Sequence, residues 1–358
     1  MGWKDKLVEP AINFLKNAER EIAIIYGHDC DSIASASLIY KISRGLNVNG
    51  KLIVSEFNFE VDEKTIEVSK KYENVVIVDI GDTPEERIEK LSKVTKLLVI
   101  DHHIPKKYNC VYVNPREFKK NVYMPVSYIN WLIYRKIFDD INVLWIAGFG
   151  TLGDFGAKYN KDLFLRIRKY KKELVGSLKI DDRVLMEKSL LGKITRMIDS
   201  CRIFGGIKGV EYAARVVAES ESYNDVLLDK RINLYFRKLE REFEKEVKRV
   251  KENSVILGDF LIYELKSKCN LKSSLASYLP KLYKDKIIFI AQKNKHGFYE
   301  VSVRRGLNRK VDLSKLVKKI CENTSAKGGG HPTAAGMRID KIEEIFEFVK
   351  KQKKRKAT

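Results

Sequence analysis

The chain has 358 residues, 44% hydrophobic and 33% charged, with 69 lysines and arginines against 48 aspartates and glutamates for a formal charge of +21. That length exceeds what one core usually organises, so two domains are expected. The composition describes a soluble globular protein, with no apolar run near the roughly 18 residues that cross a bilayer, and no membrane association is expected. Met1 to Arg20 mixes charges through an amphipathic pattern and is not expected to act as a signal peptide. Five scattered cysteines, without a CxxC pair, argue against a disulfide framework and a thiolate zinc site and suit a reducing cytoplasm. The positive excess favours a polyanionic partner, nucleic acid above all. Abundant Lys, Glu and Ile with few Gln match the composition of hyperthermophiles, which bears on habitat and not on function.

In chain order, three short β-branched runs each lead into an acidic or His-containing cluster: Ile22–Ile25 before Asp29, Val75–Val78 before Asp79, and Leu97–Ile100 before Asp101. They read as buried parallel strands. Between them, Ser32–Arg44 and Pro84–Ser92 read as helices, the second with Thr83 as cap and Pro84 in its first turn. The alternation predicts a parallel α/β domain over residues 1–225, whose strand ends converge on one crevice. Mixed charges with apolar residues at three- and four-residue spacing predict a long helix reaching residue 253, so that 226–253 connects the domains. A smaller α/β domain is expected over 254–358, with strands at Ser254–Tyr263, Ile287–Gln292 and Gly297–Arg304 and a closing helix at Ile342–Lys351. The basic tail Lys350–Lys356 reads as a frayed helix end.

Four of the five histidines, His28, His102, His103 and His331, lie beside Asp or Gly at turn positions. His296, in an expected hairpin turn, reads as an ordinary surface residue. Asp29, Asp31, Asp79 and Asp101-His102-His103 would share one crevice without a matching basic motif, which is costly unless cations neutralise it. Carboxylate and imidazole without thiolate suit Mn²⁺ or Mg²⁺. One aspartate could instead be a helix N-cap; all four serving only as caps is not expected. Asp154 follows glycines at 148, 150 and 153, which alone would suggest tight helix packing or a loop. Gly328-Gly329-Gly330-His331 precedes a helix-compatible stretch, and its backbone N–H groups could bind an anion; Lys327, Arg304 and Arg305 point the same way.

Together these clusters resemble the DHH phosphoesterase superfamily with its C-terminal DHH-associated domain, and most closely the archaeal RecJ-like nucleases, over nearly the whole chain. Gly27-His28-Asp29-Cys30-Asp31-Ser32 looks like the first motif and Val78-Asp79-Ile80-Gly81 the second. Asp101-His102-His103 looks like the third and Gly153-Asp154 the fourth, while Asn114-Pro115-Arg116 and Gly328-Gly329-Gly330-His331 with Ala334-Ala335-Gly336 complete the pattern. The resemblance implies two Mn²⁺ or Mg²⁺ ions, one held by Asp29 and Asp79, the other by Asp31, Asp79, His102 and Asp154, with Asp79 shared. It also implies that Asp101 orients His102, that His103 serves the scissile phosphate or leaving oxygen, and that His331, Arg304 and the glycines grip a terminal nucleotide. The chain departs from the family at Gly27, where relatives carry the motif's histidine, and at Ser32, where they carry glycine. His28 is accordingly a ligand candidate or a residue that contacts substrate or lines the site.

The implied activity is a metal-dependent exonuclease on single-stranded DNA or RNA that releases nucleoside monophosphates in replication, repair or RNA processing. An oligoribonuclease or cyclic-dinucleotide phosphodiesterase, and a scaffold for replication or repair helicase components, are the alternatives.

Overall fold

The computed structural model describes residues 2–138, 140–267, 269, 271–294 and 297–355, apart from the side chains at 273, 331 and 353–355. His296, Lys356 and the side chain of His331 thus lie outside the described residues. Two compact units divide the chain, Met1–Arg237 and Lys238–Thr358. A helix over Lys230–Asn253 runs across that division, which falls within the segment expected to connect the domains.

In the first unit, helix α1 (Trp3–Lys16) precedes five strands: β1 (Glu21–Tyr26), β2 (Asn49–Val54), β3 (Asn74–Val78), β4 (Lys96–Ile100) and β5 (Val111–Val113). They form one sheet in the order β2-β1-β3-β4-β5, parallel throughout. The central strands are apolar on both faces because both faces are covered. Ile22, Ile24, Tyr26, Val76 and Val78 join the core built with helices α2 (Cys30–Gly45), α6 (Val126–Phe138) and α7 (Leu144–Gly153). Ala23, Ile25, Val75 and Ile77 pack with α3 (Glu63–Ser69) and α4 (Glu85–Ser92) on the other side. A four-residue helix, α5 (Pro115–Phe118), follows β5. The strand order reverses between β1 and β3, and in such sheets that reversal opens a crevice at the carboxyl ends of the strands.

Thr83 does not cap α4 as its sequence suggests. Its hydroxyl donates to the Ile80 carbonyl and accepts from the Val61 N–H, each at 3.0 Å, and Pro84 stands one place earlier, at the N-cap.

The second unit is a six-stranded sheet in the order β10-β11-β9-β8-β7-β6. Its strands are β6 (Val255–Leu257), β7 (Phe260–Glu264), β8 (Ile287–Lys293), β9 (Tyr299–Arg305), β10 (Lys327–His331) and β11 (Ala334–Ile339). All pairs are antiparallel except β7 with β8. Helices Leu313–Cys321 and Glu343–Arg355 contribute Leu313, Val317, Ile345 and Val349 to its core. Two expectations change here. The single strand expected at 254–263 is a hairpin, because Gly258 takes φ +58° and turns the chain back. The stretch after the three glycines is not helical: Pro332 and Thr333 turn the chain, and Ala334–Ile339 pairs with both β10 and β9. Ala335, Met337 and Ile339, two apart, form its buried face; a short apolar run is compatible with strand or helix until pairing decides.

Candidate metal centre

Two strand ends, β1 and β3, and two helices, α2 and α7, deliver the acidic residues. Asp29 leaves β1 and caps α2, accepting from the Ser32 N–H at 3.0 Å; the Asn58 amide stands 3.4 Å from its other oxygen. Asp31, two residues on in the first turn of α2, turns its carboxylate to the start of α6 and accepts from the N–H groups of Val126 (2.7 Å) and Ser127 (3.0 Å). This buried carboxylate thus sits on the positive end of a helix. Asp79 ends β3 in the left-handed region, φ +59°, and accepts from the Ser32 hydroxyl at 2.7 Å. Asp154 closes α7 and is held by Tyr123, whose hydroxyl lies 2.6 Å from its Oδ2 and 2.7 Å from its carbonyl oxygen.

His102 joins these groups. Its Nε2 is 3.4 Å from Asp79 Oδ1 and 3.6 Å from Asp154 Oδ2, while its buried Nδ1 has no hydrogen-bond partner among the described residues. One donor atom each from Asp31, His102 and Asp154 lies within 4.8 Å of the others, and the same holds for Asp79, His102 and His103. The electrostatics match the crowding. Burial, then the neighbouring Asp154 charge, pushes the Asp31 carboxyl up to about 7. Burial and then the charges of Asp31, Asp29 and Asp154 raise Asp79 well above the usual carboxylate range, and burial raises Asp154. Oxygen and imidazole donors without a thiolate fit a hard divalent cation such as Mn²⁺ or Mg²⁺, which would remove this repulsion.

Asp101 pairs with His103 and not, as the resemblance implies, with His102. Its carboxylate accepts from the His103 N–H at 3.0 Å and from Nδ1 at 2.8 Å. This bond is the leading cause of a raised His103 pKa. The reason is local: a carboxylate two residues before a histidine can bond that residue's N–H and ring together, the closure Asp makes in turns. Gly81 lets this turn approach β3, since a Cβ there would lie 2.6 Å from His103 Cβ and 2.7 Å from Asp101 Oδ2. Asn114 fastens the same loop by donating to the His103 carbonyl at 3.1 Å.

His28 is not brought to the cluster. Its Nε2 stands 2.6 Å from the Ser55 carbonyl, and among the described residues neither His28 nor Asp29 belongs to the two donor sets. The Asp29 charge nonetheless acts on Asp31, Asp79 and Asp154. A Cβ at Gly27 would lie 2.5 Å from the Asn58 carbonyl oxygen and 2.9 Å from Ser32 Oγ, so the family's histidine has no room at 27 with this loop in place.

Ser32, Tyr123 and the start of α6 hold the centre together, yet sequence reasoning assigns them no role there. Pro125 before an apolar helical run marks a helix start, but nothing near Asp31 in the chain points to it.

In the second unit, Gly328, Gly329 and Gly330 lie on the edge strand β10, paired with Met337, Gly336 and Ala335. Arg304 sits opposite Ala334 on the far side of β11, and His331 opposite Ala334 on the near side. The sheet therefore gathers the glycines, His331 and Arg304 at one end. The guanidinium of Arg304 donates to the Val303 and Ala335 carbonyls, and that of Arg305 to Val311.

Residues 21–129 match the DHH family, N-terminal domain, and residues 262–355 match the DHHA1 domain. No curated protein matches the chain in sequence. Solved structures share the fold. A DHH-domain protein described as a member of a family of ribosomal proteins superposes with a TM-score of 0.65 at 18% identity, over 98% of this chain and 91% of its own. RecJ from Thermus thermophilus in complex with Mn²⁺ gives 0.61 at 15% identity, over 96% of this chain and 53% of its own. Exonuclease RecJ bound to manganese gives 0.57 at 15%, over 96% and 92%. No helix among the described residues is long and apolar enough to cross a membrane. With Asp29, Asp31, Asp79 and Asp101–His103 inside one matched span and the glycine hairpin inside the other, the chain belongs to the DHH superfamily with a C-terminal DHHA1 domain.

Proposed function

We propose that this chain is a divalent-metal-dependent phosphodiesterase that removes mononucleotides from single-stranded DNA or RNA. The observation that carries the proposal is the convergence of Asp31, Asp79, His102 and Asp154 at the carboxyl ends of a parallel sheet, with donor atoms within 4.8 Å in two sets that share His102. Bound there, Mn²⁺ or Mg²⁺ would activate water and neutralise charge on the phosphoryl group. Asp31, Asp79, His102 and Asp154 hold the cations, and Asp29 is the further oxygen donor. Asp101 fixes the Nδ1 side of His103, which leaves Nε2 for the scissile phosphate or the leaving oxygen. Gly328, Gly329, Gly330, His331, Arg304 and Arg305 recognise substrate phosphate through exposed N–H groups and cations. The RecJ structures with Mn²⁺, and one of RecJ with Mg²⁺, support the metal class, and the +21 charge supports a polyanionic substrate.

The test is digestion of 5′- and 3′-labelled single-stranded DNA and RNA, alongside a dinucleotide, with Mn²⁺. Mononucleotides should accumulate. EDTA should abolish their release. Asp79→Ala should lower turnover by at least about 100-fold, because even partners one step removed from a metal are worth 10- to 100-fold. Undiminished cleavage in EDTA or in Asp79→Ala would sink the metal mechanism, and turnover of the dinucleotide alone would replace the exonuclease with a short-substrate phosphodiesterase.

A further inference from the structure

A row of aromatic rings leads out of the metal centre. The His102 ring meets Tyr123 edge-on at 5.6 Å between centroids, and Tyr123 meets Tyr159 at 5.3 Å. The inner members are covered, but Tyr159 is 60% exposed. Lys158 places its ammonium over one face of the Tyr159 ring, 4.8 Å from the centroid. Phe155, the residue after Asp154, is 62% exposed, so burial does not account for its ring.

The backbone at Phe155 makes that exposure more informative. Helix α7 ends in a Schellman turn: the Phe155 N–H donates to Leu152 at 3.1 Å and the Gly156 N–H to Thr151 at 2.8 Å. Phe155 itself takes φ +53°, a conformation that helix ends ordinarily give to glycine. An aromatic side chain there is strained, and such strain persists where the surroundings hold it and function uses it. Buried Asn160 supplies the hold. Its amide donates to the Tyr123 carbonyl at 3.2 Å and to the Gly156 carbonyl at 2.9 Å, tying the backbone that follows Phe155 to the middle of the aromatic row.

We infer that Tyr159 and Phe155 form a nucleobase-stacking platform beside the metal centre, with Lys158 facing the adjoining phosphate. The inference rests on the proposed nucleic-acid substrate and specifies how the first unit grips it. Every base offers a π-face, so such a platform accepts any sequence, and a nearby cation satisfies the phosphate that comes with each base. The link through Tyr123 to Asp154 and His102 places the base next to the bond to be cut.

The test separates binding from cleavage. Affinity for an oligothymidylate and for its abasic counterpart is measured by fluorescence anisotropy without divalent metal, in wild type, Tyr159→Ala, Tyr159→Phe and Phe155→Gly. Wild type should favour the base-bearing strand. Tyr159→Ala should lose roughly 5- to 150-fold on that strand, the range for one stacked base, and bind the abasic strand as wild type does. Tyr159→Phe should retain the preference. Phe155→Gly should also weaken base-dependent binding while melting at a higher temperature than wild type, because it removes the strained φ; a folding defect cannot produce that pair of results. Equal affinity of wild type for both strands, or unchanged preference in Tyr159→Ala and Phe155→Gly, would overturn the platform. Base-dependent binding through Tyr159 in a protein that cuts no strand would leave the platform standing and overturn the proposed activity, so the two failures are distinguishable.

Discussion

Each carboxylate of the centre is held by a donor other than a metal: Asp31 by the start of α6, Asp79 by Ser32, Asp154 by Tyr123 and Asp29 by its own helix. These bonds keep the oxygens close to one another and to His102 when their charges oppose it. The opposition makes a prediction about metal-free protein. Asp31, Asp79 and Asp154 have folded-state pKa values raised above the ordinary carboxylate range, Asp31 to about 7. Between that ordinary range and the raised values, the folded state binds more protons than the unfolded chain, so stability falls as pH rises through this window. In EDTA, the melting temperature should therefore drop between pH 5 and pH 8, by roughly 5 °C or more, and Mn²⁺ should restore it most at pH 8. Scanning calorimetry at four pH values with and without Mn²⁺ checks this; a flat profile in EDTA would mean that the carboxylates do not oppose one another.

At the level of elements, the glycines before Asp154 act by letting α7 lie against its neighbours. A Cβ at Gly150 would stand 2.5 Å from Ala34 Cβ on α2 and 2.7 Å from Ser127 Cβ on α6, and one at Gly153 would stand 2.6 Å from Cys30 Cβ. The same three helices carry Asp31, the N–H groups that hold Asp31, and Asp154. Gly150→Ala gains about 1 kcal/mol of helix propensity, but the atoms it meets are short side chains that cannot swing away, and overpacking costs about 1–3 kcal/mol. A net destabilisation is expected, with weaker Mn²⁺ binding because Asp31 and Asp154 separate as the helices part. Denaturant unfolding and metal titration read the two effects. Increased stability with unchanged Mn²⁺ affinity would show that this close approach does not set the site.

For the molecule as a whole, the +21 charge makes binding to single strands a test of ionic contacts. If three or more phosphates are neutralised, the log–log slope of affinity against salt should be about −2 or steeper, from roughly −0.7 per phosphate on single strands. A slope near zero would show that the excess charge lies away from the substrate. Legibility in the sequence also divides by scale. The β1, β3 and β4 strands, the parallel sheet and the placing of Asp29, Asp31, Asp79 and Asp101–His103 at its edge are legible in the chain, because continuous apolar runs and the turn after each one are local patterns. That Asp31 rests on α6, that Tyr123 holds Asp154, that Asp101 serves His103 and that His28 turns to Ser55 emerges once the chain is packed. Those pairings depend on how closely elements distant in the chain pack and on which donor lies in reach once they have, and neither quantity is written in the spacing of residues along one segment.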